Sequence, residues 1–281
     1  QLWIEIAEII EEHYQDYDGF IILHGTDTMA YTASALSFLL ENLAKPVILT
    51  GAQLPVGSVR TDAHRNLVTS IQIAAAQQYG YPMVPEVCIY FDDVLLRGNR
   101  SRKLISNRFD AFHSENYPVL ARAGIHVDFQ SEYIREPVPG AKLKVHRSMQ
   151  NQVAILKLFP GISEQMVACW LSQPNLKGLV LETFGSGNAP TDPWFLGLLE
   201  EALHRGVLVM NVSQCYGGQV EQGRYATSQD LDSLGVISGR DITPEAAITK
   251  LMYVLARDLS PAERKLQLAQ NLRGEMKRIN N

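Results

Sequence analysis

Apolar and polar residues follow two patterns along the chain, one typical of buried strands and the other of helices. Short apolar runs occur at 19–24, 46–50 and 86–91, and the first two are followed by longer stretches with helical spacing, at 28–40 and 62–77. Strands that alternate with helices predict α/β layers around mostly parallel strands.

The same alternation returns in the second half of the chain. Its predicted elements are strands at 153–159, 178–183 and 207–212 and helices that begin near Ser163, Asp192 and Pro244. The stretch before residue 153 contains Pro137, Pro139 and Gly140 and has no sustained helical periodicity. The predicted fold class is therefore α/β with two domains, each a mostly parallel sheet flanked by helices. The predicted parts are an N-terminal domain at 1–128, a linker at 129–152 and a C-terminal domain at 153–281.

The composition and charge of the chain argue against two classes of binding partner, nucleic acids and membranes. The formal net charge of -5 provides no broad positive field for nucleic acid. No stretch approaches the ~20 consecutive apolar residues that span a bilayer, so a membrane partner is not expected either. Cys88, Cys169 and Cys215 are widely spaced and form no Cys-x-x-Cys pair, which favours a reducing compartment and hence a cytoplasmic protein.

Polar and small residues directly follow the first predicted strand. His24-Gly25-Thr26-Asp27-Thr28 places two hydroxyls and a carboxylate at the start of a helix, and Gly25 permits a tight bend there. Ligands of open α/β sheets bind beyond the carboxyl ends of the strands, and a helix N-terminus favours an anion. The alternative is a simple helix cap, because Thr and Asp are common N-cap residues.

The next two predicted strands are also followed by segments that are candidates for ligand binding. Thr50-Gly51-Ala52-Gln53 forms a small-residue bend where backbone can approach a ligand, although an ordinary strand-to-loop glycine explains it equally well. The third strand leads through a predicted hairpin at Asp92-Asp93 to a basic cluster at 97–103. Such a cluster is, from its composition, typical of a solvated face.

Five separated sequence blocks together resemble the type I L-asparaginases, a branch of the asparaginase family, along nearly the whole chain. The blocks are HGTDTM at 24–29, TGAQ at 50–53, RGNR with the following lysine at 97–103, FGSGNAP at 184–190 and NLRGE at 271–275. The resemblance implies a larger N-terminal and a smaller C-terminal α/β domain. It also implies hydrolysis of L-asparagine without a cofactor or a metal, and assembly as a homodimer or homotetramer.

The resemblance also implies residue roles. Thr26 is expected to be one of two catalytic threonines, Asp27 to contact the α-amino group of the substrate, and Lys103 to complete a catalytic Thr-Asp-Lys set. The implied substrate-binding residues are Gly25, Thr26, Asp27 and Ala52. A threonine hydroxyl needs a neighbouring base, and a lysine accepts a proton only when neutral, a form that burial favours and a nearby carboxylate opposes. Backbone N–H groups near Ala52 are expected to form an oxyanion hole.

Part of the family pattern does not occur in the 281 residues. Members also carry a Thr-Gly-Gly-Thr motif, whose threonine is generally taken as the attacking nucleophile, and a downstream Asp-Ser pair that holds the substrate carboxylate. The resemblance begins just after both, which implies that roughly the first 60 residues of a typical member are missing and that the strand at 20–23 loses a neighbour. We therefore expect a truncated chain that is inactive or unstable as given.

Two other functions fit the same residues. One is an ammonia-supplying subunit of a tRNA-dependent amidotransferase, and the other is a non-catalytic amino-acid-binding protein that has lost the nucleophile. A nucleotide site is not expected at Gly185-Ser186-Gly187, because Pro190 stands where the third small residue of the dinucleotide fingerprint belongs. The histidines form no His-Glu-x-x-His motif and no pair at metal-ligand spacing, so no metal site is expected.

Overall fold

A computed structural model of the chain describes residues 1–221 and 226–278. It contains two compact units, Gln1–Arg147 and Ser148–Asn281. Residues 129–147, which fall within the predicted linker, belong to the first unit, while the predicted boundaries after 128 and before 153 stay predictions. Each unit has strands and helices around a core of its own, so the α/β fold class is confirmed.

The first unit is built on three helices and a six-stranded sheet, with short strand pairs at its margins. The helices are α1 (Leu2–Glu12), α2 (Met29–Leu39) and α3 (Ala63–Ala75). The strands are β1 (Phe20–Leu23), β2 (Leu40–Glu41), β3 (Val47–Thr50), β4 (Gln77–Gln78), β5 (Tyr81–Pro82), β6 (Val87–Phe91), β7 (Val94–Arg97), β8 (Arg102–Lys103), β9 (Phe112–His113), β10 (Ala121–Ala123), β11 (Val127–Phe129) and β12 (Lys144–Val145). Two 3-10 turns lie at Gly98–Arg100 and Ser131–Tyr133.

The strand order in the main sheet is β1-β3-β6-β7-β10-β11. The pairs β1–β3 and β3–β6 are parallel, and the remaining three pairs form an antiparallel extension. In the described part of the chain β1 is hydrogen-bonded to β3 alone, and Leu23 is 67% exposed whereas all of β3 is buried. Leu23 is in register with Thr50, so the carboxyl ends of β1 and β3 lie side by side.

The β6–β7 hairpin and helix α2 fix the positions of the segments that follow them and precede them along the first unit. Asp92 and Asp93 both have positive φ, at 44° and 66°, as a two-residue type I′ hairpin turn requires, so the predicted hairpin is confirmed. Every residue of α2 except Tyr31 is buried. A helix that is buried on nearly all sides is held by packing, so its first turn has a fixed position beside β1.

The second unit has a parallel four-stranded sheet, β13 (Val153–Lys157), β14 (Gly178–Thr183), β15 (Leu208–Ser213) and β16 (Ile237–Ser238), in that order. Its helices are α4 (Glu164–Leu171), α5 (Pro193–His204), α6 (Ala226–Ser233), α7 (Pro244–Leu255) and α8 (Pro261–Ala269). The Thr243 hydroxyl accepts the Ala246 N–H and Pro244 occupies the first turn, so the predicted start of α7 is confirmed. Within residues 1–221 and 226–278, no helix is long and apolar enough to cross a membrane.

A fully buried ion pair fixes the end of the second unit. Nζ of Lys250 lies 2.6 Å from a carboxylate oxygen of Glu275, and both side chains are inaccessible to solvent. Lys250 also donates to the Leu268 carbonyl at 3.0 Å, and Glu275 accepts the N–H groups of Leu272 and Arg273. Because each charge has several hydrogen-bond partners, the pair holds the segment after α8 against α7.

Candidate active site

The predicted site residues lie at the adjacent carboxyl ends of β1 and β3. The His24 N–H donates to the Thr50 carbonyl at 2.9 Å and continues the pairing beyond β1. A Cβ on Gly51 would lie 2.4 Å from the His24 carbonyl oxygen, so only glycine allows the two backbones to approach this closely. Gly25 has no atom within 4 Å of a Cβ position and no positive φ, so the bend there does not depend on glycine.

Lys103 joins the two other predicted catalytic residues. Its Nζ atom donates a hydrogen bond of 2.7 Å to Oγ1 of Thr26 and another of 2.7 Å to Oδ1 of Asp27. The Lys103 side chain is 15% exposed, whereas that of Asp27 is 92% exposed. The hydrogen bond from Lys103, supported by its positive charge, lowers the pKa of Asp27. The structure thus brings Thr26, Asp27 and Lys103 into direct contact.

Lys103 lies at this position because helix α2 packs closely on the turn after β7. A Cβ on Gly98 would lie 2.9 Å from the Ala33 Cβ and 2.9 Å from the Val87 carbonyl oxygen. The absence of a side chain at Gly98 therefore lets α2 approach the turn, and β8 follows directly. Lys103 is then paired with Phe112 of β9 in a short antiparallel ladder, which fixes the direction of the strand.

Gln53 also contacts Thr26, and it was missing from the predicted site. The Thr26 hydroxyl donates to Oε1 of Gln53 at 3.3 Å, and Nε2 of Gln53 donates to the Arg108 carbonyl at 2.8 Å. Since a carbonyl can only accept, the amide nitrogen must face Arg108 and the amide oxygen must face Thr26. The single hydroxyl proton of Thr26 therefore points to Gln53, and Lys103 is the donor in its own bond to Thr26. Gln53 closes the TGAQ block, which was the available sequence signal.

Asp62 anchors the loop that carries Ala52 and Gln53. Its carboxylate is 6% exposed and accepts the Gln53 N–H at 3.0 Å, the Leu54 N–H at 3.2 Å and the Asn66 side-chain amide at 3.1 Å. The same Asn66 amide donates to the Gly51 carbonyl at 3.0 Å. The backbone on both sides of Ala52 is thus held by hydrogen bonds with residues that are themselves buried, although Asp62 was not among the predicted site residues.

A cleft of about 750 Å³ opens beside this loop. It is lined by polar and charged side chains together with Leu54 and Phe109, and Gln53 forms part of its wall. Arg108 and Asp110, which also line it, form an ion pair of 2.5 Å. Thr26, Asp27 and Lys103 do not line this cleft, and Gln53 is the residue that both forms its wall and contacts Thr26.

Two of the alternative interpretations are wrong. Thr28 is the N-cap residue of α2 but makes no side-chain capping hydrogen bond, so helix capping does not explain the segment after β1. The basic cluster is not a solvated face, because Arg97 and Arg100 are each only 3% exposed. Arg97 forms a buried ion pair with Glu86 at 2.6 Å. Among the described residues, no three His, Cys, Asp or Glu side chains are grouped so as to hold a metal ion.

Fold and site together define an α/β protein with a Thr-Lys-Asp cluster at the carboxyl ends of parallel strands. Residues 1–135 match the family profile described as Asparaginase, N-terminal, and residues 152–267 match the Glutaminase/Asparaginase C-terminal domain. L-asparaginase 1 of Escherichia coli K12 is 47% identical over 276 residues, which cover 98% of this chain and 79% of that protein. The chain belongs to the asparaginase family.

Other relatives differ in name and length. The 60 kDa lysophospholipase of Mus musculus is 46% identical over 275 residues, 98% of this chain and 48% of that protein, so the chain spans about half of its length. A glutamyl-tRNA(Gln) amidotransferase subunit of Pyrococcus abyssi is 35% identical over 285 residues, 98% of this chain and 63% of that protein. The crystal structure of L-asparaginase I from Vibrio cholerae superposes with a TM-score of 0.90 at 46% identity and covers 98% of this chain and 81% of that one.

Proposed function

We propose that this protein hydrolyses L-asparagine to L-aspartate and ammonia through a threonine acyl-enzyme, without a cofactor. The observation that carries the proposal is the position of the Lys103 amine, 2.7 Å from both the Thr26 hydroxyl and the Asp27 carboxylate. The names of the E. coli and V. cholerae relatives support the substrate.

Each member of the cluster has a distinct proposed role. Asp27, with a pKa below its usual range, remains a carboxylate at neutral pH and binds the ammonium group of the substrate. Lys103 is the base that accepts the Thr26 proton, which requires the hydroxyl to turn from Gln53 toward the amine. Thr26 is one of two catalytic threonines, and Gly25 and Ala52 contact the substrate through their backbone.

The reaction balances as two displacements at the side-chain carbonyl of asparagine. A threonine oxygen bonds to the carbonyl carbon, the C–N bond breaks, and the nitrogen takes up a proton and leaves as ammonia. Water then adds to the ester, the C–O bond to threonine breaks, and the threonine regains its proton as aspartate departs. Backbone N–H groups of the Gly51–Ala52 segment are the proposed donors to the oxyanion, and hydrogen bonds from Asn66 to Gly51 and from Gln53 to Asp62 hold the backbone on either side of Ala52.

We propose further that the 281-residue chain does not complete this cycle on its own. The Thr-Gly-Gly-Thr motif of the family, whose threonine is the expected nucleophile, does not occur in it. Purified chain should therefore release no ammonia from L-asparagine above background. Steady ammonia release with turnover would contradict this part of the proposal.

The decisive test uses the coding sequence upstream of the Gln1 codon. A Thr-Gly-Gly-Thr motif is expected there, and the protein that includes it should release ammonia from L-asparagine. In that protein Lys103→Met should lower kcat by roughly 100-fold or more, as loss of a general base does. Lys157→Met, at an exposed lysine, is the matched control and should leave kcat unchanged. Full activity of Lys103→Met would refute the proposal.

Location and assembly are parts of the same proposal. Cys88, Cys169 and Cys215 are free thiols, in keeping with a cytoplasmic protein. A homodimer or homotetramer is proposed from the family resemblance. Light scattering coupled to size-exclusion chromatography should give a mass of two or four times that of one chain, and a monomer at micromolar concentration would contradict the assembly.

The amidotransferase relative supports a second candidate function. A neighbouring gene for a partner protein, and ammonia transfer to a tRNA-linked substrate, would favour that function over free asparagine hydrolysis. A non-catalytic amino-acid-binding protein is the third. It predicts aspartate binding without ammonia release even when the upstream motif is present.

A further inference from the structure

A chain of hydrogen bonds connects α1 to the backbone that carries Thr26. Nε1 of Trp3 donates to Oγ1 of Thr32 at 3.0 Å, and Oγ1 of Thr32 lies 2.9 Å from Nε2 of His24. The other ring nitrogen of His24, Nδ1, lies 2.6 Å from the carbonyl oxygen of Gly25. Thr32 is 2% exposed, whereas the bond between His24 and Gly25 lies at the surface.

The partners of His24 determine which ring nitrogen carries the proton in the neutral ring. The Gly25 carbonyl can only accept, so Nδ1 must be the donor. Nε2 of the neutral ring is then an acceptor, and Thr32 has one proton to give it. Trp3, which can only donate, occupies a lone pair on the Thr32 oxygen. Every donor in the network therefore meets an acceptor only when neutral His24 is the Nδ1–H tautomer.

The Gly25 carbonyl, which accepts the Nδ1 proton of His24, belongs to the peptide bond between Gly25 and Thr26. A Cβ at Gly25 would meet no atom within 4 Å, so no side chain at this position would pack to hold the Gly25–Thr26 peptide plane. The hydrogen bond from His24 is a contact that holds the direction of the Gly25 carbonyl. The N–H of Thr26 belongs to the same plane and points the opposite way.

We infer that His24 is a positioning residue, held by Thr32 and Trp3 as the Nδ1–H tautomer, which orients the Gly25–Thr26 peptide and through it the Thr26 hydroxyl. The inference rests on the proposed function for its catalytic meaning, because Thr26 is one of the two catalytic threonines in that proposal. The hydrogen-bond assignment itself does not depend on any substrate.

The first experiment reads the tautomer by long-range ¹H–¹⁵N correlation of the histidine rings in the 281-residue chain at pH near 8, where histidine rings are neutral. The signals of His24 are those lost in His24→Gln. They should show a protonated Nδ1, and Thr32→Val, which removes the donor to Nε2 at similar volume, should lower the Nδ1–H population. A predominant Nε2–H tautomer in the parent chain overturns the inference.

The second experiment separates positioning from packing with two amide replacements. The side-chain nitrogen of Asn occupies the position of Nδ1 and can still donate to Gly25, whereas that of Gln occupies the position of Nε2 and cannot. The backbone amide resonance of Thr26 should therefore stay near its parent position in His24→Asn and move in His24→Gln. Equal shifts in the two variants, or none in either, would overturn the positioning role.

Ligand binding tests the link to the proposed function separately. In calorimetry with L-aspartate, His24→Gln should weaken affinity by roughly 10-fold and His24→Asn by no more than roughly 3-fold. These affinities are measured in the protein that includes the upstream Thr-Gly-Gly-Thr motif, where absence of L-aspartate binding in the parent counts against the proposed function, whereas the tautomer and the Thr26 amide shift decide the role of His24 by themselves. Equal weakening in both variants counts against the role of His24.

Discussion

The amine of Lys103 lies 2.7 Å from the hydroxyl of Thr26, although 77 positions separate the two residues along the chain. Thr26 follows the end of β1, whereas Lys103 belongs to the short strand β8. The contact depends on Gly98, whose missing side chain lets α2 pack on the turn before β8. A bulkier residue at Gly98 would therefore disturb the site without touching either partner.

Replacing Lys103 should raise the lowered pKa of Asp27 toward its usual value. Lys103 lowers the pKa of Asp27 by hydrogen bonding and by its charge, so Lys103→Met should raise that pKa toward the unperturbed aspartate value of about 3.9. Carbon-13 NMR titration of the Asp27 carboxyl measures the change. Asp16, an exposed carboxylate elsewhere on the unit, serves as the internal control, and its carbon-13 signal should be the same in both proteins. An unchanged Asp27 titration would mean that the ion pair does not form in solution.

Alanine substitutions at two glycines of the site should have opposite outcomes. Gly51→Ala places a Cβ 2.4 Å from the His24 carbonyl oxygen, which must force the strand ends apart and should lower the free energy of unfolding by about 1–3 kcal/mol. Gly25→Ala meets open space at ordinary φ and should change it by no more than about 0.5 kcal/mol. Urea denaturation followed by circular dichroism measures both. Similar losses for the two variants would contradict the proposed close approach.

Asp62 should be needed for the geometry of the loop at 52–54. Asp62→Asn keeps the shape but removes a charged, 6% exposed acceptor of two backbone N–H groups, which should cost about 1.5–3 kcal/mol of stability. The Gln53 amide resonances should shift in the same variant. Asp128→Asn, at an exposed position, is the control and should alter neither quantity. A stable Asp62→Asn protein with unmoved Gln53 signals would contradict this prediction.

The buried pair of Lys250 and Glu275 should show strong coupling. Lys250→Met leaves a buried carboxylate without its counter-ion and should cost about 3–5 kcal/mol in the second unit. The double variant Lys250→Met with Glu275→Gln should lose less than the sum of the two single changes, because no unpaired charge remains. Denaturant unfolding of all four proteins gives the coupling energy. Additive losses would show that the two charges do not interact.

The same pair should contribute to acid sensitivity. Burial raises the pKa of Glu275, but the charge of Lys250 and the N–H groups of Leu272 and Arg273 more than offset it, so the net pKa is lowered. A carboxyl with a lower pKa in the folded state adds stability above its unfolded pKa of about 4.3, and this is lost as pH falls through the folded value. Unfolding midpoints between pH 7 and pH 3 should therefore fall more steeply for the parent than for Glu275→Gln. Parallel pH profiles would contradict the prediction.

Local sequence patterns were sufficient for most elements. Buried strands such as β3 and β6 are short apolar runs, and the start of α7 follows from Thr243 and Pro244, since these effects act within a few residues. The resemblance of separated blocks then selected Thr26, Asp27 and Lys103. Arg97 and Arg100 were misjudged, because their burial depends on Glu86 and Tyr117, whose positions composition does not reveal.

The sequence by itself determined the α/β class, the family and the chemical identity of the candidate groups, because strand and helix periodicity and motif residues are local properties of the chain. Only the tertiary structure decided which groups meet. Gln53 faces Thr26 because the Arg108 carbonyl, 55 positions away, fixes its amide, and the inferred tautomer of His24 depends on the Gly25 carbonyl and the Thr32 hydroxyl at its two ring nitrogens. Hydrogen-bond direction depends on every partner at once, and those partners come together only when the chain folds.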